Sequence, residues 1–331
     1  MQIHRDTDHL PSFRRAVITI GTFDGVHTGH QQIINQLKAQ ASRIDGETVI
    51  ITFHPHPRKI VNGATGEIRL INTLAEKIEL LAWQGVDHLV IVPFTEAFSQ
   101  LTAEQYVKEF LLEKFHPHTI IIGYDHQFGK GRKGDFHLLE DFSKKEGFEL
   151  QEIPVHLSSA ISVSSTRIRE AIGKTDVDTA TQLLGYTPFF SGIVVDGNKL
   201  GRTLGYPTAN LEIDNPEKLI PGDGIYAVQA ILLPAAQAEA GEIEIPDTNI
   251  FGGPFLHGMM SIGVRPTIGG TNRVIEVNLF DFNEDIYGRK LRVFLIKHLR
   301  PEVKFNGLEA LKDQLAKDKA DSITWLNAGN G

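Results

Sequence analysis

The sequence predicts an α/β chain of two domains, a doubly wound parallel sheet followed by a small antiparallel β-domain with a C-terminal helix. Three observations predict it. Short apolar runs alternate with amphipathic stretches through the first part of the chain; strands separated by glycine- and proline-rich turns then take over; and 331 residues exceed the usual content of one domain. The boundary is expected at 184/185, giving domains of residues 1–184 and 185–331.

In the first part the apolar runs are "AVITI" from Ala16, "VIITF" from Val49, "HLVIVPF" from His88, "TIIIGY" from Thr119 and "FELQEIP" from Phe148. Each is short and rich in β-branched or bulky residues, as strands buried on both faces are. Between the first two, Ile33, Ile34, Leu37, Ala41 and Ile44 recur at helical spacing. From Ala103, "AEQYVKEFLLEKF" repeats the pattern with Tyr106, Val107, Phe110 and Leu111. Such β-α-β alternation implies a parallel sheet covered by helices, with ligands bound where strand carboxyl ends meet helix starts.

In the second part "FFSGIVV", "GIYAVQAILL", "HGMMSIGV", "VIEVNLFDF" and "KLRVFLI" read as antiparallel strands, and "NGLEALKDQLAKDKADSITWL" as the closing helix. The stretch 234–257 carries little core material and reads as a long hairpin excursion.

Composition narrows the function. With 41% hydrophobic and 22% charged residues the chain is ordinarily globular, and no window holds the ~18 uninterrupted apolar residues of a membrane span, so no membrane partner is expected. The stretch "MQIHRDTDHLPSFRR" lacks the apolar core of a signal peptide, which predicts a cytoplasmic protein. The absence of cysteine excludes disulfides and Cys-based metal sites. A net charge of -8 argues against a nucleic-acid partner but leaves room for a local seat for a small phosphorylated ligand. Self-association is left open.

Two stretches carry the chemistry of the first domain. "GTFDGVHTGH", residues 21–30, leaves the first strand and enters a helix, where free N–H groups and the helix dipole favour an anion. Glycines at 21, 25 and 29 would admit a phosphate to the backbone, and His27 and His30 lie three apart near the first turn. An imidazole can offer that anion a hydrogen bond or a charge. A tight turn with two solvated histidines is the bland alternative, and the strand-loop-helix setting weighs against it. "VSSTRIRE", residues 163–170, gathers Ser164, Ser165, Thr166, Arg167 and Arg169 at another helix entry, more donors than an N-cap needs.

The second domain has its own pair. "GNKLGRTLGYPTANL" packs Gly197, Gly201 and Gly205 ahead of Thr208 and Asn210, oxygen donors two apart that suit a magnesium ion bridging ATP phosphates. In "VIEVNLFDF", Val274, Glu276, Asn278 and Phe280 share one face, and Ile275, Val277 and Leu279 the other. Glu276 is the candidate base for a hydroxyl acceptor.

"HTGH" paired with a late "SSTRIR" resembles the nucleotidylyltransferase superfamily. More narrowly, "GTFDGVHTGH", "FHPHPRKIV", "GYDHQFGKGRKGD" and "VSSTRIRE" are similar to the adenylyltransferase half of prokaryotic bifunctional riboflavin kinase/FAD synthetases. "GRTLGYPTANL", "PGDGIYAV", "SIGVRPTIGG", "EVNLFDFNEDIYGRKLRV" and "LRPEVKF" resemble the kinase half, in order.

The resemblance implies a nucleotidylyltransferase-type sheet and a six-stranded β-barrel. It implies riboflavin, FMN and ATP as substrates, with flavins as substrates and products and Mg2+ accompanying ATP. His27, His30 and Arg169 would then be catalytic in adenylyl transfer. Gly21, Phe23, Asp24, Gly29, Ser164, Ser165 and Thr166 would bind nucleotide, with Asp125 on the adenine or ribose side. In the kinase half the resemblance implies that Gly197, Gly201, Gly205 and Thr208 hold ATP, Thr208 and Asn210 the metal, and that Glu276 activates the ribityl 5'-hydroxyl. "MMSIG" and the longer excursion depart from the family pattern without touching a catalytic position.

"GKGRKG", residues 129–134, satisfies a dinucleotide-binding spacing but lies far from the first strand-helix turn. His54 and His56 lack further residues at metal-ligand spacing, and a turn flanked by Pro55 and Pro57 accounts for them. Two rival readings stand beside the resemblance. An adenylyltransferase for another acceptor is opposed by the PTAN and EVNLFDF segments, and a non-enzymatic flavin sensor by the presence of His27, His30 and Glu276.

Overall fold

The computed structural model describes the chain except for residues 62–67, 124–125, 154–162, 198–200, 202–203, 235–249, 268–269 and 329–331; of residues 265–267 and 270–272 only the backbone is described. The chain divides into two compact units, the first built on Met1–Ser165 and the second on Thr166–Ile243 with Phe251–Gly331.

In the first unit, β1 (Gln2–His4), β2 (Val17–Ile20), β3 (Thr48–His54), β4 (His88–Pro93), β5 (Thr119–Gly123) and β6 (Glu149–Ile153) form one sheet in the order β1-β4-β3-β2-β5-β6. Every neighbouring pair is parallel. The chain runs from β2 to β3 and β4 on one side, then crosses to β5 on the other. The carboxyl ends of β2 and β5 therefore flank the point where the strand order reverses, the usual crevice for a ligand in such sheets.

β2, β3, β4 and most of β5 are buried, as their apolar runs predict. β6 is an edge strand with only Ile153 buried, so the expectation of burial on both faces fails there. The opposite edge strand, β1, is too short at three residues to show a period. Helix α1 (Thr28–Ile44) follows β2 and buries Ile34, Leu37 and Ala41.

The segment from Ala103 is helical, but Tyr106–Leu112 is wound as a π-helix between the short α-helices Ala103–Gln105 and Glu113–Phe115. The wider π winding, with its i→i+5 hydrogen bonds, leaves Tyr106, Val107, Phe110 and Leu111 buried. All four enter the core, with Ile18, Ile20, Val49, Ile51, Ile120 and Ile122.

In the second unit, β7 (Phe189–Val195), β8 (Ala209–Glu212), β9 (Gly224–Leu232), β10 (Leu256–Thr267), β11 (Gly270–Leu279) and β12 (Lys290–Arg300) close into an antiparallel barrel in the order β10-β11-β8-β7-β12-β9. Its interior is filled by Phe190, Val194, Tyr226, Val228, Met260, Ile262, Ile275, Val277 and Val293. The helix Val177–Leu184 packs with it, Val177 reaching the barrel core. The C-terminal helix Leu308–Ala328 lies on the outside, where Leu326 and Leu315 meet Met259, Phe280 and Tyr206. The expected excursion falls on residues outside the described ones, apart from its two ends.

Candidate active sites

The turn after β2 is tightly braced. Phe23, Gly25 and Val26 take left-handed backbone angles (φ 47°, 92° and 36°), costly for Phe and Val by roughly 1–3 kcal/mol each. Several bonds hold the turn in place. Gly21 N–H donates to Ile51 O at 3.0 Å, and Thr52 Oγ1 donates to Thr22 O at 3.2 Å. The buried Asp24 carboxylate accepts from Ile71 N–H at 3.0 Å and Asn72 N–H at 3.3 Å. Ser165, the last residue of this unit's first stretch, donates from Oγ to Asp24 O at 2.9 Å.

His27 caps α1: its Nδ1 accepts from His30 N–H at 3.4 Å. A Cβ at Gly29 would stand 3.3 Å from that ring, so the glycine leaves it room. The rings of His27 and His30 stack at 3.7 Å, and Phe23 lies 4.8 Å from His30 on centroids. His30 is partly exposed as a residue, yet its Nδ1 is sealed from solvent without a hydrogen-bond partner. Burial, then the charges of His27 and Lys77, hold its pKa well below the ordinary histidine value. Two stacked imidazoliums would repel by about 4 kcal/mol at an effective dielectric constant of 20. Burial and this repulsion favour the neutral form of His30, an imidazole that offers an anion a hydrogen bond.

Of the remaining expected residues in this half, Ser164 directly precedes the helix Ser165–Gly173, while Thr166 and Arg169 sit in its first and second turns. Asp125 lies outside the described residues. The structure also brings in a residue with no sequence signal. Lys77, on the helix Leu74–Trp83, is 7% exposed and donates from Nζ to Thr22 O at 2.7 Å, directly beneath the histidine turn.

In the barrel, register does the assembling. Asn210 on β8 is paired with Glu276 on β11 and with Val195 on β7, so the Asn210 and Glu276 side chains emerge side by side on the outer face. Ile275, Val277 and Leu279 fill the interior, as the alternation predicts. Buried Asn278 reaches back with Nδ2 to Pro207 O at 2.7 Å and fixes the start of "PTAN". The glycine segment folds onto this strand: a Cβ at Gly197 would lie 1.9 Å from Asn210 Nδ2, and one at Gly201 would lie 2.3 Å from Tyr206 O and 3.4 Å from Thr208 Oγ1. Tyr206 N–H and Leu204 N–H donate to Gly201 O at 2.8 and 3.1 Å, closing the turn that contains Gly205. Thr208, Asn210, Glu276, Gly197, Gly201 and Gly205 are thus gathered in one place.

A parallel sheet with a histidine turn at its switch point, joined in one chain to a closed barrel with an Asn–Glu pair under a glycine turn, defines a two-domain transferase. The comparisons with known proteins agree with that class. The FAD synthetase family matches residues 10–167 and the riboflavin kinase family residues 184–326. The bifunctional riboflavin kinase/FMN adenylyltransferase of Escherichia coli is 34% identical over 92% of this chain and 90% of its own length. That of Bacillus subtilis is 34% identical over 95% and 93%. A crystal structure described as a macrolide-efflux protein from Streptococcus pneumoniae superimposes with a TM-score of 0.83 at 29% identity, covering 98% of this chain and 99% of that one. Among the described residues of the present chain no helix is long and apolar enough to cross a membrane. The chain belongs to the bifunctional riboflavin kinase/FMN adenylyltransferase family.

Proposed function

We propose that the chain makes FAD from riboflavin in two steps, with phosphorylation in the barrel domain, residues 185–331, and adenylyl transfer in the sheet domain, residues 1–184. The observation that carries this reading is that each half matches its own family over a different, non-overlapping stretch, and each stretch holds its own cluster of reactive residues.

In the barrel, Glu276 would accept the proton of the ribityl 5'-hydroxyl as that oxygen bonds to the γ-phosphorus of ATP and the bond to ADP breaks. Thr208 and Asn210 would hold Mg2+, which supplies charge to the phosphates. Among the described residues no cluster of three or more His, Cys, Asp and Glu is placed for a metal, so the donors at hand are a hydroxyl, an amide oxygen and one carboxylate. Such a sparse oxygen set fits an ion that keeps waters and binds through phosphate oxygens. Gly197 and Gly201 let the turn close on these donors.

In the sheet domain a phosphate oxygen of FMN would attack the α-phosphorus of a second ATP and expel pyrophosphate. That oxygen is already ionised at neutral pH, so no general base is needed. What the site must supply is stabilisation of charge on the triphosphate. His27 and His30 would do so as neutral donors on the α1 start, Arg169 as a fixed cation, and Ser164, Ser165 and Thr166 as orienting hydroxyls. Gly21, Phe23, Asp24 and Gly29 shape the turn, and Asp125 is assigned to the adenine or ribose side. Use of two ATP molecules for each FAD supports a cytoplasmic location.

The test feeds each half alone. Riboflavin with ATP and Mg2+ is expected to yield ADP and FMN, and FMN with ATP and Mg2+ one pyrophosphate per FAD. Failure of FMN to accept an adenylyl group would remove the first-domain assignment.

A further inference from the structure

We propose that Lys77 is a positioning residue of the adenylyl-transfer site: its ammonium, buried beneath the 21–30 turn, fixes the Thr22 carbonyl and sets a positive charge beneath the turn that carries the stacked His27 and His30. The inference rests on the adenylyl-transfer reading of that turn and extends it to a residue on another element.

The placement is unusual for a lysine. It lies in the first half of the amphipathic helix Leu74–Trp83, between buried Glu76 and fully buried Ile78, where an apolar residue would avoid the desolvation of a charge. Glu76 turns to the start of its own helix, where its Oε2 accepts from Thr73 N–H at 2.9 Å in a capping box. Lys77 instead donates at 2.7 Å to Thr22 O, the carbonyl that also receives Thr52 Oγ1. Two donors thus converge on the residue just before the left-handed Phe23, and so on the entry to the strained turn that sets the histidines.

The charged and titratable groups facing this pocket, among the described residues, come from three further elements. Asp24 of the turn attracts the ammonium, His30 of α1, stacked on His27, receives its field, and His54 at the end of β3 receives it too. Burial outweighs Asp24 and brings Lys77 down to about 8, so the ammonium is charged at neutral pH but within reach of titration. A positive charge beneath the turn disfavours a second proton on the His30 ring and leaves its N–H group as a donor to an incoming anion.

The experiment compares the full-length wild type, Lys77→Arg and Lys77→Met. FMN adenylylation and riboflavin phosphorylation are each followed from pH 6 to 10, together with thermal melting and the NMR titration of His30. The wild type is expected to lose adenylylation, and not phosphorylation, as pH rises through the lysine's titration. Lys77→Arg, always charged, should carry that limb to higher pH. Lys77→Met should lose about tenfold or more in kcat/KM for FMN adenylylation, show no such limb, melt no lower than the wild type because a buried charge is gone, and titrate His30 at higher pH.

An alkaline limb common to all three proteins, or Lys77→Met within threefold of the wild type, would overturn the proposal. So would an unmoved His30 titration in Lys77→Met. Failure of the underlying reading is separable: it would appear as full adenylylation in His30→Ala, whatever Lys77 does.

Discussion

Replacement of Gly197 by alanine isolates what the glycine turn does for phosphorylation. The added methyl would stand 1.9 Å from Asn210 Nδ2, whereas ordinary van der Waals contact begins near 3.4 Å, so the amide or the turn must give way by 3.4 − 1.9 = 1.5 Å. Asn210 is paired in register with Glu276, and displacement of about 1 Å in a reacting constellation costs on the order of 10²-fold in rate. Riboflavin phosphorylation is therefore expected to fall by about 10²-fold, while added FMN is converted to FAD at the wild-type rate. Gly173→Ala, outside the barrel, is the control for an added methyl, which there would meet nothing within 4 Å. Initial rates of ADP and pyrophosphate release in the same preparations separate the two activities. A Gly197→Ala enzyme that phosphorylates within threefold of the wild type would refute the packing of the turn on Asn210.

Three further outcomes follow from the same geometry. Glu276→Gln removes the proposed base and should lower phosphorylation by about 10²- to 10⁴-fold without slowing adenylylation of supplied FMN; retained kinase turnover would eliminate Glu276 as base. His30→Ala should do the reverse, and parallel loss of both activities would contradict separate sites. The third outcome concerns stability against pH. His30 is held well below its ordinary pKa of 6.5 by burial, so below that pH the unfolded chain binds more protons than the folded one. Stability of the first unit should then fall with pH, by up to about 1.4 kcal/mol per unit, until the folded-state value is reached. His4 and His54 are shifted in the same direction and add to the slope. Melting of the wild type and His30→Asn between pH 7.5 and 5.5 measures the His30 share, and equal slopes would contradict it.

The strands were legible where one physical rule decided them. β2, β3 and β4 are unbroken apolar runs because both sheet faces are covered, and β11 alternates because only one face meets the barrel interior. β1 carried no signal: three residues cannot display a period, and it exists through its pairing with β4. β8 was hidden behind its chemistry, since "TAN" reads as a ligand-bearing turn while Ala209–Glu212 is a strand held by β7 and β11. The histidines were legible from their place at a helix start, but their stacking was not, because ring orientation depends on the capping bond of His27. Lys77 shows where local reading stops. Helical spacing in "LAEKIELLAW" sets Lys77 on the face of Leu74, Leu80 and Leu81, and only the Thr22 carbonyl, fifty-five residues away in the chain, explains why a lysine is buried there.

The central claim, that one chain holds both activities and that FMN made by one is adenylylated by the other, is tested most directly by a time course. The purified chain is incubated with riboflavin, Mg2+ and ATP, and the flavins are resolved by chromatography. FMN should rise first and FAD should follow at its expense. Riboflavin that binds and stays unchanged, with neither product formed, would contradict the account and leave a flavin-binding protein in place of an enzyme.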